Sequence, residues 1–454
     1  MSRLTTIAQR VGWGLLAVVT VGFLLWTPER VAPEDGKTHI RYWYIVGAQD
    51  DIPYHARRFN EVQDSIVVDA TPIPWQEHER KILTAVLSGD PPDVVSQFVP
   101  VVKWASRLAL EPLDDLIEAT ALDTTQFFPA LWSEMGWQGR TFALPINSTS
   151  YALFYNKTRF REAGLDPERP PQTWDEVVAA ARRLSERDPD GRLVRAGFIP
   201  DYGNLPTTQL MAWQQDVEFL APDGLTVQLN MPAMEQSLGW IAEFYAEYGV
   251  DDLKAFTAGL GNADQHGFMS GRIGMAVLDL SYLEQLAIYA PELDYGVAAI
   301  PTFPGRPTAS SAGSWWLAVP RGARHPEAAF AFMRFAVQKH IQLEEIAASD
   351  DDLFPANRFA ATDSSFLNSP EMEVFARQME VAHSPTVVPL AHDVFWREFF
   401  GAQERVIYGL QTPAEALQQA EAVVQDALDR AASYDHYVRA NVSLDGPAQD
   451  RGRR

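Results

Sequence analysis

The residues of this chain that could do chemistry are mostly aromatic or neutral and polar, and they fall at the ends of apolar runs. Trp43 lies in THIRYWYIV, Gln97 closes DVVSQF, Asn147 follows ALPI, and Trp213 and Gln214 end QLMAWQ. Asp279 and Tyr282 flank the end of IGMAVLDL, while Ser314, Trp315 and Trp316 sit in SSAGSWWLAVP and Trp396 and Arg397 in DVFWREF. Aromatic plates beside amide, hydroxyl, carboxylate and guanidinium groups suit a ligand with one apolar face and a rim of hydroxyls, as a sugar has. Signatures of covalent, metal or nucleotide chemistry are missing from the text. His78-Glu79 is followed by Arg80, Lys81 and Ile82, so the two-histidine zinc spacing is not met. Gly259-Leu260-Gly261 has Asp264 where a dinucleotide fingerprint needs its third glycine. There is no G-x-S-x-G and no P-loop. No cofactor and no metal are expected. Each candidate also has a plain structural reading. Tryptophans usually pack in cores, Asp279 can cap the turn after its strand, and Arg397 can sit in a surface ion pair. Trp315 and Trp316 are adjacent, so on a strand they face opposite ways. Trp315, nearer the loop, is read as the open one and Trp316 as core.

Those residues need elements to hold them. The chain has 454 residues, more than one core comfortably fills, so two lobes are expected. Apolar residues make up 46% and charged residues 21%, an ordinary globular balance. The formal charge of −23 argues against nucleic acid as a partner. There is no cysteine, which excludes disulfides, thiolate catalysis and a lipid-modified N-terminal cysteine.

From Thr38 the pattern reads strand, helix, strand, helix, strand: Thr38–Val46, a helix after Pro53, Ser65–Ala70, Glu77–Ser88 and Asp93–Phe98. That order implies a parallel, doubly wound sheet with ligand loops at its carboxyl edge. Thr141–Ile146 carries Pro145, which cannot donate to a ladder, so this run should leave a sheet or cross between two. Ser150–Tyr155 reads as the next strand. Thr173 and Glu176 have the spacing of a capping box, and Thr412 and Glu415 repeat it. Pro222-Asp223-Gly224 reads as a hairpin turn.

The stretch ALPINSTSYALFYNKTRFREAGLDPERPPQTWDEVVAAARRL closely resembles the signature region of the family 1 extracellular solute-binding proteins, the maltose-binding-protein-like group that also includes glycerol-phosphate binders. LSGDPPDVVSQF, YGVAAIPTFPG, SSAGSWWLAVP and LFPANRFAAT continue the resemblance in family order. It implies an α/β, two-lobed periplasmic-binding-protein fold, class II-like, with each lobe a doubly wound sheet with flanking helices and three crossovers at the hinge. The implied lobes are 38–145 with 302–352 and 146–301 with 353–435, followed by a polar tail at 436–454. The implied function is the binding component of an ABC importer, capturing a sugar or oligosaccharide and delivering it to the permease transmembrane subunits. A glycerol phosphate, phosphodiester or other polyol is the alternative ligand, and a ligand-sensing partner of a membrane receptor is a further role. The resemblance also brings Glu77 near the cleft and favours Trp213, Trp315 and Trp396 as ligand contacts. A carbohydrate-active enzyme would need two carboxylates about 5–9.5 Å apart. Glu77 and Asp279 fall on different implied lobes and no other pair is evident.

The N-terminus has a separate reading. Residues 1–10 carry Arg3 and Arg10 and should stay cytoplasmic. Val11–Trp26 is an uncharged, largely apolar run, shorter than the about 20 residues of a comfortable span. The linker 27–37 has Arg30 where a cleavage site needs a small residue. The reading is an uncleaved signal anchor that tethers an extracytoplasmic or periplasmic protein to the inner membrane, with a cleaved signal peptide as the alternative.

Overall fold

The structure is a computed structural model that describes residues 35–46, 52–203, 205–221, 223–348 and 354–441. Val11–Trp26, the run read as a signal anchor, therefore lies outside the described residues, as do Pro222 and the tail beyond 441.

Strand β1 (Thr38–Val46) pairs in parallel with β2 (Ile66–Pro74) and with β3 (Val94–Gln97). Helices Tyr54–Val62 and His78–Ser88 make the crossovers. The second helix stops at Gly89, which takes the left-handed conformation at φ 75°. Glycine adopts that conformation without a Cβ penalty, and Pro91-Pro92 then bar continuation. The sheet is buried on both faces. Tyr42, Phe59, Phe330 and Met333 fill one side, and Ile82, Val95, Trp104 and Trp316 the other.

Strand β4 (Ala143–Asn156) is the spine of the molecule. The sequence reads two strands there, and the structure has one continuous strand of 14 residues. Its first half pairs antiparallel with β7 (Ser310–Ala318), which in turn pairs antiparallel with β3. Its second half pairs antiparallel with β5 (Met275–Asp279) and β6 (Tyr295–Ala298). Two short strands complete the sheet. β8 (Phe354–Pro355) pairs with β4, and β9 (Ala382–His383) pairs with β7. One nine-stranded, curled sheet thus runs through both lobes. Pro145 leaves its mark as a bulge. Trp316 faces Pro145 but Trp315 faces Asn147, so Ile146 is the extra residue. A missing amide breaks the ladder there, and the strand absorbs the break by bulging.

The second lobe packs around Phe154, Trp174, Phe198, Phe268 and Leu278. Helix Trp174–Leu184 opens with both bonds of its capping box: Glu176 N–H donates to Thr173 Oγ1 at 3.2 Å and Thr173 N–H to Glu176 Oε2 at 3.3 Å. The Thr412 and Glu415 pair does the same at the start of helix Pro413–Asn441. Helices Pro232–Tyr248, His392–Ile407 and Pro413–Asn441 share a further core around Phe219, Phe395, Phe399 and Leu417. Leu220 and Val227 make an antiparallel bridge, in keeping with a hairpin in this segment.

Candidate functional site

Parallel strands end on one side, so β2 and β3 deliver the residues after them to the same edge. Trp75 follows β2 and Phe98 follows β3. Their rings stack with centroids 4.3 Å apart and planes at 14°. β7 runs the other way, with Trp316 opposite Gln97, so the residue before it stands at that same edge. This residue is Trp315, whose ring lies 5.1 Å from Phe98 and 5.9 Å from Trp75. His78, at the start of its helix, closes the group 5.5 Å from Phe98. Trp75 is 44% exposed although it is large and apolar. Trp316 is fully buried, and its indole N–H donates to Val99 O at 3.0 Å.

Three buried side-chain oxygens on these neighbouring strands lack partners, two on the Trp315 face and one, on Gln97, on the Trp316 face. Asn147 and Thr149 stand on β4 opposite Trp315 and Gly313, hence on the face that carries Trp315. Neither Asn147 Oδ1 nor Thr149 Oγ1 has a hydrogen-bond partner in the protein, and both atoms are buried. Gln97 Nε2 bonds His78 Nδ1 at 2.8 Å, which leaves Gln97 Oε1 also buried and unpartnered. Burial lowers the His78 pKa, so the ring is held neutral and Nδ1 can accept from the amide. An unmet buried acceptor costs about 1–3 kcal/mol, so several together mark a place where a ligand can supply donors.

Beside His78 and Phe98 in the chain, Glu79 and Val99 line a separate cavity that the second lobe helps to close. This cavity of about 390 Å³ is lined by Glu79, Val99, Lys103 and Arg107 on one side and by residues 389–394 on the other. Lys103 pairs with Glu79 at 2.9 Å, and Arg107 is exposed. His392 Nδ1 is buried without a partner, and burial lowers the pKa of the ring. Trp396, one turn along the helix, lies edge-on 6.3 Å from His392. A hollow of about 450 Å³ beside Asp201 lies within the second lobe instead, and Thr207 and Gln403 already hold the Asp201 carboxylate.

The other candidates are distributed less evenly. Trp43 packs against the core of Ile82 and Val95. Glu77 is at the edge but is engaged by Lys81 at 3.0 Å, which lowers its pKa first through that hydrogen bond. Ser314 donates to Glu134 Oε2 at 3.0 Å, behind Trp315. Burial pushes the Glu134 pKa up to about 7. Asp279 caps the turn after β5, accepting from Ser281 N–H at 2.9 Å. Tyr282 belongs to an aromatic group with His266 at 5.0 Å, and His266 meets Tyr202 at 4.9 Å. Burial lowers His266 to about 4 and raises Tyr282 to about 12. Arg397 is exposed and bonds Glu398 at 2.9 Å. Trp213 and Gln214 correct the sequence expectation of residues open at a strand end. Every residue of helix Thr207–Trp213 is buried, and Trp213 stacks on His383 at 4.9 Å. Gln214 is fully buried between Trp174 Nε1, at 2.9 Å, and Pro301 O, at 2.8 Å. Trp75, Phe98, Thr149 and His392 are the additions. Phe98 follows an apolar strand, the signal that singled out Gln97, whereas Trp75 follows β2, whose residues are of mixed burial. Among the described residues no group of three or more His, Asp or Glu side chains could hold a metal ion.

Two α/β lobes that share one sheet and line a cavity together make the architecture of a two-lobed solute-binding protein. The chain belongs to the bacterial extracellular solute-binding protein family, whose pattern matches residues 43–342. It is 23% identical over 376 residues to a putative binding protein of Brucella abortus, covering 81% of this chain and 87% of that one. It is also 23% identical over 281 residues to the sn-glycerol-3-phosphate-binding periplasmic protein UgpB of Escherichia coli, covering 58% of this chain and 61% of UgpB. In structure it is similar to the sugar-binding protein MalE from Xanthomonas citri, with a TM-score of 0.74, 22% identity and coverage of 88% and 99%. These similar proteins are binding proteins.

Proposed function

We propose that this protein captures a sugar or oligosaccharide outside the cytoplasmic membrane and delivers it to the transmembrane subunits of an ABC importer. The observation that carries the reading is the Trp75, Phe98 and Trp315 edge beside the unmet Asn147, Thr149 and Gln97 oxygens. A sugar presents an apolar face to the rings and hydroxyl donors to the oxygens. The reading is of a binder without catalysis: at the cavity Glu79 is tied to Lys103, which leaves Asp393 without a paired carboxylate. A second reading, a glycerol phosphate, phosphodiester or other polyol, has Lys103 and Arg107 at the cavity and the UgpB similarity in its favour. A thermal-shift screen of the purified protein, followed by calorimetry, separates the two. Stabilisation by saccharides is expected; stabilisation by glycerol phosphates alone would reverse the order, and neither would end both readings.

Two further assignments belong to the same proposal. The lobes are 38–145 with 302–352 and 146–301 with 353–435. Among the described residues no helix is long and apolar enough to cross a membrane, and Val11–Trp26 lies before them. Retention of that run as a tether predicts an intact N-terminus by mass spectrometry; a mature chain starting between Thr27 and Lys37 would refute it.

A further inference from the structure

Helix His392–Ile407 carries two rows of aromatic side chains. Phe395 and Phe399 are buried against Phe219 and Leu417. One residue on, Trp396 and Phe400 form an outer row, with rings 5.5 Å apart and planes at 27°. Phe400 is 44% exposed. The row starts at His392, which lines the inter-lobe cavity, and climbs by four residues, or about 6 Å, per step. It is closed at its far end. Lys254 bonds Glu404 at 2.8 Å and sits 4.5 Å over the Tyr408 ring, so the next two positions are already occupied. Arg397, three residues before Phe400, is exposed and pairs with Glu398 at 2.9 Å.

We propose that Phe400 stacks a sugar ring outside the cleft, so that the ligand is a saccharide chain longer than the cleft holds, its end lying along this helix. This rests on the sugar reading above. Two features of the helix select that occupant. The row is continuous with the cavity wall, and its step is close to the spacing of successive rings in a pyranose chain. Two partly covered rings fall far short of the about 800 Å² that a stable protein partner takes from each side, since a whole aromatic side chain offers about 150–250 Å².

The test is calorimetric affinity for malto- and manno-oligosaccharides from disaccharide to hexasaccharide, with wild type, Phe400→Ala and Phe400→Trp, and melting temperatures to show that each variant is folded. In wild type, affinity rises as the chain grows past the cleft. Phe400→Ala removes that rise, weakening the longer chains by about 3- to 10-fold, the equivalent of one lost aromatic contact, while the disaccharide is unaffected. Phe400→Trp restores the rise. Equal affinities of wild type and Phe400→Ala at every length, or an equal loss at every length, would overturn the outer subsite and leave the sugar reading standing. Failure of wild type to bind any saccharide would remove the sugar reading and this inference together.

Discussion

Trp316 is fully buried and hydrogen-bonded through its indole, whereas its neighbour Trp315 meets Phe98 and Trp75 at the open edge of the sheet. The two substitutions to alanine should therefore separate. Trp316→Ala loses a packed indole and strands Val99 O, and should destabilise the fold by about 3–5 kcal/mol. Trp315→Ala should melt close to wild type and lose about 2 kcal/mol of ligand binding, as a truncated aromatic anchor does. Calorimetry and melting curves on both variants decide this, and early melting with normal binding for Trp315→Ala would exchange the roles. Glu134, behind Ser314, gives a pH prediction. Its pKa is raised from 4.5 to about 7 because burial disfavours the charged carboxylate. The folded state then holds a proton that the unfolded state has lost between those two values. Stability from this group is complete below about pH 4.5 and is lost as the pH rises through 7. Glu134→Gln keeps an acceptor for Ser314 and cannot ionise. Its melting temperature should overtake wild type between pH 5 and 8, by the equivalent of about 1–3 kcal/mol once partial exposure is allowed for. Parallel curves would show that the carboxylate is not penalised.

At the scale of elements, what the sequence shows and hides depends on whether the signal is local. The capping boxes at Thr173 and Thr412 are three-residue patterns with one geometry each, and both form. The β-α-β-α-β run from Thr38 was readable because period and punctuation agree there. Pro145 was readable as a break in a ladder but not as a bulge. That outcome depends on β7, about 170 residues away, lying opposite. The pleat puts Trp315 and Trp316 on opposite faces but does not say which is core; the full burial of Trp316 comes from the structure. Trp213 and Gln214 could not be placed, since only the packing of Trp174 and His383 shows that their helix is buried all round. Trp75 was hidden for the opposite reason: it follows its strand like a core residue, and its exposure depends on where β3 and β7 end.

Across the whole molecule, three chain segments meet where the lobes join, and they are bonded to one another. β4 carries Ser148 and Asn147, β8 pairs with both, and β7 pairs with the same stretch. Two-lobed binding proteins close by hinge rotation about such a joint. The proposed binding groups sit on both sides of it, with Trp75, Phe98 and Trp315 on the proposed first lobe and His392 and Trp396 on the second. A ligand that reaches both sets only when the lobes are near favours the closed form by the difference. Moving the population from about 1:99 to 99:1 takes about 5.5 kcal/mol of that difference, which a stacked ring and a few hydrogen bonds can supply. Small-angle scattering at saturating ligand should therefore show a smaller radius of gyration than the free protein. Trp396→Ala should bind more weakly and compact less when each protein is brought to the same occupancy, because the first-lobe contacts remain while the reason to close is reduced. A radius unchanged by ligand in wild type would show that the cleft binds without closing, and the joint at Pro145 would then be a crossover and not a hinge.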